Sequence, residues 1–186
     1  VGLMADQFVG LRWIQCPGES VKKPRFMIWR KLKEYGAEYF NKALLCCPTT
    51  AKATANSNTF RQKLPKWGGE ASIVEMKFID PRDEKEMVSR FRAQALAELS
   101  ELKNDCAQVL AQLTQGLQSG QSLSEAQGEE VKKMIRRYSK AKGRNHFGLS
   151  VAQDVESGLY SIISSVRQAS SELSSQLAKA MDKAVK

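Results

Sequence analysis

Two periodicities divide this chain, one of about two residues and one of three to four. Phe8–Cys16 (FVGLRWIQC) is rich in β-branched and aromatic residues and stops at Pro17-Gly18, which predicts a strand and a turn. Ser72–Ile79 (SIVEMKFI) alternates Ile73, Glu75 and Lys77 with Val74, Met76 and Phe78, a second strand signal. Between them, Ala37–Phe40 and Ala43–Cys47 are short strand candidates joined by Asn41-Lys42 in a hairpin. A helix is predicted from Pro24, whose fixed φ suits a first helical position. Its apolar side carries Ile28, Trp29, Leu32 and Tyr35, and Gly36 ends it. Thr49–Asn58 reads as a polar loop, followed by a short helix around Phe60 and Leu64 that stops at Pro65 and Gly68-Gly69.

The resulting order, β-α-β-β-α-β, predicts an α+β fold class with a ferredoxin-like domain over residues 1–79. The pattern changes at Asp80-Pro81, an N-cap residue followed by proline, so residues 80–186 are expected to form a helical domain. Val88, Phe91, Ala95, Leu99, Leu102, Cys106, Val109 and Leu113 are spaced by threes and fours, close to a heptad seam that Gly116–Gly120 interrupts. Ser122 with Glu125, or Ser124 with Gln127, offers a capping box for the next helix. That helix ends in the loop Lys142–Gly148. Ser150 is then expected to cap one final helix with a seam through Val155, Leu159, Ile162, Val166, Ala169, Leu173, Leu177 and Met181. At ~1.5 Å per residue it would reach ~50 Å. The expected architecture of this half is a long-helix hairpin or three-helix assembly.

Charge sharpens the picture most in Val131–Lys142 (VKKMIRRYSKAK). Val131, Met134, Ile135 and Tyr138 make an apolar stripe, while Lys132, Lys133, Arg136, Arg137 and Lys140 gather on the other side of the same helix. Such a ridge can follow a row of phosphates and displace condensed counterions. The competing reading is a plain solvated surface. The chain as a whole favours a polyanionic partner: 29 Lys and Arg against 20 Asp and Glu give a formal net charge of +9 over 186 residues. Arg25, Arg30, Lys31 and Lys33 form a second basic surface on the first helix, although Arg30 equally suits an ion pair with Glu34 or Glu38. Arg12, Arg25, Arg30 and Arg144 are candidates for holding a small dianion.

Catalytic and metal chemistry find little support. A single histidine, His146, excludes a multi-histidine metal site, and no carboxylate ends the first strand at Gln15-Cys16-Pro17 to hold a divalent cation. The chain has no GxxxxGK[ST], no GxGxxG and no Cys-x-x-Cys. Cys46 and Cys47, adjacent on a strand, point to opposite faces and cannot easily grip one metal. With Cys16 and Cys106 they read as free, buried thiols in a reducing compartment. No catalytic residue, metal or cofactor is expected. No apolar run approaches a membrane span, and Val1–Met4 lack the character of a secretory signal, so a cytoplasmic protein is expected.

The chain resembles the N-terminal domain of bacterial chromate-resistance regulatory proteins. The residues that carry this are Arg25, Trp29-Arg30, Leu32-Lys33 and Gly36-Ala37, then Leu44-Leu45 and Pro48, Gly68-Gly69, Arg136-Arg137-Tyr138 and Asn145-His146-Phe147. They extend over most of Phe8–Gln168. The resemblance implies a cytoplasmic protein tied to oxyanion resistance, a DNA-binding repressor or sensor acting beside a chromate efflux pump. The first domain also looks like the small ferredoxin-like domain of phenylacetate-pathway repressors and CRISPR adaptation nucleases.

Two functional readings follow. The first is a DNA-binding regulator, in which Lys132, Lys133, Arg136, Arg137 and Lys140 contact phosphates and Arg25, Arg30 and Lys33 add a second surface, with a homodimer expected. Chromate or another oxyanion is a possible further ligand. The second is a non-enzymatic interaction module whose long seams hold another helix. A thiol-based oxyanion reductase using Cys46 or Cys47 is a distant third, since it needs a thiolate stabilised by positive charge.

Overall fold

The computed structural model describes residues 8–14, 30, 33–34, 36–41, 44–67, 70–120 and 123–185. Among the described residues four strands form one sheet: β1 (Phe8–Ile14), β2 (Glu38–Asn41), β3 (Leu44–Pro48) and β4 (Glu70–Met76). Their order is β2-β3-β1-β4, and every neighbouring pair is antiparallel. The helices are α1 (Ala51–Lys63), α2 (Pro81–Gln118), α3 (Glu125–Arg144), α4 (Val151–Ala169) and α5 (Ser171–Val185), with a 3-10 turn at Leu64–Trp67. The chain divides into two compact units, 1–91 and 92–186.

The expected fold class, α+β with a ferredoxin-like β-α-β-β-α-β domain, is corrected to a mostly helical fold with a small antiparallel sheet. Helix dominates the described chain: α2 alone, with 38 residues, is longer than the four strands together. The first helix that a β-α-β-β-α-β unit requires, predicted from Pro24, falls largely outside the described residues; only Arg30, Lys33 and Glu34 are described there, and all three are helical. Period-two alternation locates short strands well but says little about how much of the chain they occupy.

In the first unit, buried side chains lie on both faces of the sheet, Phe8 and Cys46 on one and Cys47 on the other. Phe8, buried, sits edge-on to Phe78 at 5.2 Å and stacks with Phe91 at 6.3 Å. Adjacent strand residues face opposite ways, so Cys47 meets Ser57 on α1 while Cys46 feels the charges of Glu38 and Arg90. Gly36 adopts φ 74°, a conformation glycine reaches without steric penalty, and thereby turns the chain into β2. α1 begins earlier than the sequence suggested, since Ala51–Asn58 is helical and not loop. Three alanines in this stretch supply helix propensity that its Asn, Ser and Thr residues obscure.

The second unit buries a single apolar cluster. Leu99, Leu102, Cys106, Val109 and Leu113 of α2 join Val131, Met134, Ile135 and Tyr138 of α3, Val155, Leu159, Ile162 and Val166 of α4, and Leu177 and Met181 of α5. These are nearly all seam positions chosen by spacing. α3 runs antiparallel to α2, because Arg144 at its end meets Glu98, while Arg137 meets Asp105. α3 and α5 run side by side in the same direction. Leu173 near the start of α5 lies against Gly128, where an added Cβ would come within 3.0 Å of its side chain, and Lys142 near the end of α3 bonds the Val185 carbonyl at 2.6 Å.

The expected single C-terminal helix is corrected to two. Ser170 takes an extended conformation, its N–H closing α4 onto Val166 O at 2.8 Å while its Oγ accepts from Leu173 N–H at 3.3 Å. Serine competes for backbone hydrogen bonds in this way and favours a helix N-cap over an interior. The apolar spacing runs through the break because both helices bury a stripe, and spacing alone therefore conceals the turn. Ser150 stands at the N-cap position as expected, but with αR backbone angles and no side-chain cap bond.

Candidate nucleic-acid interface

The helix that carries the basic ridge is positioned from both ends and along one face. Ser124 and Gln127 form a capping box at its start, satisfying backbone donors that the first turn leaves open. Gly128, Val131, Met134, Ile135, Tyr138 and Ala141 are buried. Fully buried Tyr138 donates to Glu156 Oε2 at 2.6 Å, and burial, followed by this bond, pushes its hydroxyl well above the ordinary tyrosine range. The rotation of α3 is thus fixed by its apolar stripe and by one polar anchor.

That rotation sends the cations of the ridge to different destinations. On the flank toward α2, Arg137 donates from Nη1 to Asp105 at 2.6 Å and from Nη2 to Glu101 at 3.1 Å. The hydrogen bond to Asp105, outweighing partial desolvation, strengthens its hold on the proton. Arg144, 17% exposed, donates from Nε at 2.9 Å and Nη2 at 2.7 Å to Glu98 Oε2. Lys132 pairs with Glu129 at 2.7 Å, a bond that depresses the Glu129 carboxyl. Lys133, Arg136 and Lys140 are exposed, and none pairs with a carboxylate among the described residues.

The continuous five-residue ridge expected from spacing is therefore narrowed to three open cations, with Lys132 and Arg137 held in ion pairs. The acids that capture Arg137 and Arg144 were not anticipated, yet the sequence carries their signal. Glu98, Glu101 and Asp105 stand at i, i+3 and i+7 on α2, an acidic stripe at helical spacing. A cleft of about 200 Å³ between α2 and α3 is lined by Asp105, Gln108, Gln112, Glu130, Lys133 and Arg137 among others. Its acids match its cations in number, which makes it unsuited to concentrating an anion.

Arg30 is exposed, and Lys33 pairs with Glu38 at 3.1 Å, so Lys33 is engaged within the protein. Arg25 and the side chain of Arg12 lie outside the described residues. Arg144, offered as an anion ligand, is committed to Glu98. Burial drives the Cys46 thiol up to about 12 and the Cys47 thiol up to about 11. Both shifts oppose the thiolate that a reductase nucleophile requires. Among the described residues no cluster of three or more His, Cys, Asp or Glu is arranged to hold a metal ion, and no helix is long and apolar enough to cross a membrane.

These features define a mostly helical protein with a cationic helix flank. Residues 25–180 match the family described as Protein ChrB, N-terminal. The chain belongs to that family, the N-terminal domain of chromate-resistance regulatory proteins. No curated protein and no solved structure matches it significantly.

Proposed function

We propose that this chromate-resistance family member is a non-enzymatic, DNA-binding regulator whose α3 contacts the duplex backbone through Lys133, Arg136 and Lys140. The observation that carries this reading is the exposure of Arg136 and Lys140, one turn apart on the outer flank of one helix and without ion-pair partners among the described residues, with exposed Lys133 at the rim of the neighbouring cleft. From Lys133 to Lys140 is seven helical steps, or ~10 Å of helix, a run suited to successive phosphates. Such contacts fix position and affinity; base readout requires additional groups. Lys132 and Arg137 belong to the scaffold in this reading.

The test is binding of the chain to its own promoter duplex and to a random duplex of equal length across a salt series. A regulator gives a steep loss of affinity with salt, a preference for the promoter, and a weaker, shallower curve for Arg136→Ala/Lys140→Ala. Absence of duplex binding at low salt rejects the proposal, and binding blind to sequence removes the regulatory part of it.

A further inference from the structure

We propose that the polyanion-binding face is built from two helices, with Lys179 and Lys183 of α5 forming a second cationic row beside Arg136 and Lys140 of α3. This rests on the DNA-binding reading above and extends it to residues outside the sequence ridge. The helices run in the same direction, and their contacts set the register. Gly128 lies against Leu173, 45 positions on, and Lys142 against Val185, 43 positions on. Lys179 consequently stands level with Ile135 and Arg136, and Lys183 level with Ser139 and Lys140.

Helix geometry decides the flank. Successive residues turn by about 100°, and α5 buries Ser174, Leu177 and Met181. Ser174 donates to Ile163 O on α4 at 3.1 Å, while Leu173 reaches α3 at Gly128. Lys183 lies beyond Leu173 on the flank toward α3 and Lys179 on the outer face opposite the buried stripe, whereas Asp182 lies beyond Ser174 on the other flank. Both lysines are exposed, and neither pairs with a carboxylate among the described residues. On α3, Arg136 lies past Gly128 on the matching outer side. With packed helices about 8–10 Å apart, the two rows make a strip instead of a single line.

The strip is polarised. Its other end, where α5 begins, carries exposed Glu172, which repels phosphate and favours the C-terminal halves of the two helices for a polyanion, while Glu129 at the start of α3 is balanced by Lys132. A competing role exists for Lys183, which sits in the last turn of α5 and complements the helix dipole. Lys179, Arg136 and Lys140 precede the last turns of their helices, so the dipole does not account for the row.

The experiment uses the whole chain and a random 20-base-pair duplex, with anisotropy measured from low to moderate salt. Lys179→Gln/Lys183→Gln is expected to lower the slope of log K against log salt by about 1.8, the release of two phosphate contacts, with an unchanged melting temperature. Arg136→Gln/Lys140→Gln is expected to lower it similarly. An unchanged slope in the α5 variant, beside a reduced slope in the α3 variant, overturns the two-helix face and leaves the α3 reading standing. Absence of salt-dependent duplex binding by the unaltered chain overturns both, as does binding to anionic phosphatidylserine vesicles without binding to the duplex.

Discussion

The α2-facing and outward-facing flanks of α3 hold the same kinds of side chain in different electrostatic states. Arg137 and Arg144 turn toward Glu101, Asp105 and Glu98 and become cross-links between two helices. Arg136 and Lys140, a fraction of a turn away, form no ion pair with a carboxylate among the described residues and face outward, while Lys133 lines the cleft beside Asp105 and Glu130 without pairing to either. A cation count over Val131–Lys142 treats all of these alike. What separates them is rotation about the helix axis, set by the buried stripe, together with acids on a neighbouring helix.

The comparison breaks most completely if the stripe is lost. Tyr138 has no exposed surface and anchors α3 to Glu156, so Tyr138→Ala is expected to cost about 3–5 kcal/mol, read as a lowered urea midpoint. Both flanks should then lose their distinct behaviour, since the helix is no longer held at one rotation. A cost under 1 kcal/mol would show that the ion pairs, and not the stripe, orient α3.

Alkaline pH tests the same anchor without a cavity. The Tyr138 hydroxyl is raised above the ordinary value of about 10, and Cys106 in the same core is raised from 9.0 to about 11 by burial first, then by Asp105. A raised folded-state pKa means the folded protein holds the proton more tightly. That stability is complete below the unfolded values and drains away as pH climbs through the folded ones. The urea midpoint should accordingly fall between pH 9 and pH 11, and the fall should be shallower in Tyr138→Phe and in Cys106→Ala. Equal slopes in all three proteins would mean that these groups do not govern the alkaline limb.

Ser124→Ala acts more gently, at about 1 kcal/mol, by removing one half of the reciprocal cap at the start of α3. Gln127→Ala should resemble it, and the double variant should cost less than the two singles added together, because each single already breaks the box.

How much of this was legible in the sequence depends on what each feature requires. The seams of α2, α3 and α4 were readable because burial imposes a local spacing: Leu99, Leu102, Cys106, Tyr138, Leu159 and Ile162 all lie where threes and fours placed them. The strands were readable as elements, while the class to which they pointed was not, since four short strands are outweighed by helix. The break at Ser170 stayed hidden beneath an uninterrupted apolar rhythm. The fate of each cation was the least legible feature, because Arg137 finds its partners 32 and 36 residues away on another helix. Only the acidic spacing of Glu98, Glu101 and Asp105 hinted at them.

The smallest effects on stability give the sharpest test of the comparison. Arg144→Ala removes a largely covered guanidinium from Glu98 and should cost about 1.5 kcal/mol. Arg137 is 40% exposed, so solvent screens its two ion pairs and Arg137→Ala should cost 1 kcal/mol or less, at about the level of a surface pair. Arg136→Ala should leave the urea midpoint unchanged. Duplex binding should not follow that order: Arg136→Ala is expected to reduce the salt slope by about 0.9, while Arg137→Ala leaves it nearly intact. Neutralising Arg137's partners with Glu101→Gln/Asp105→Asn then frees a cation and should steepen the slope toward one additional contact. If Arg136→Ala and Arg137→Ala instead shift binding equally, the carboxylates of α2 do not withhold charge from the ridge, and its two flanks act as one surface.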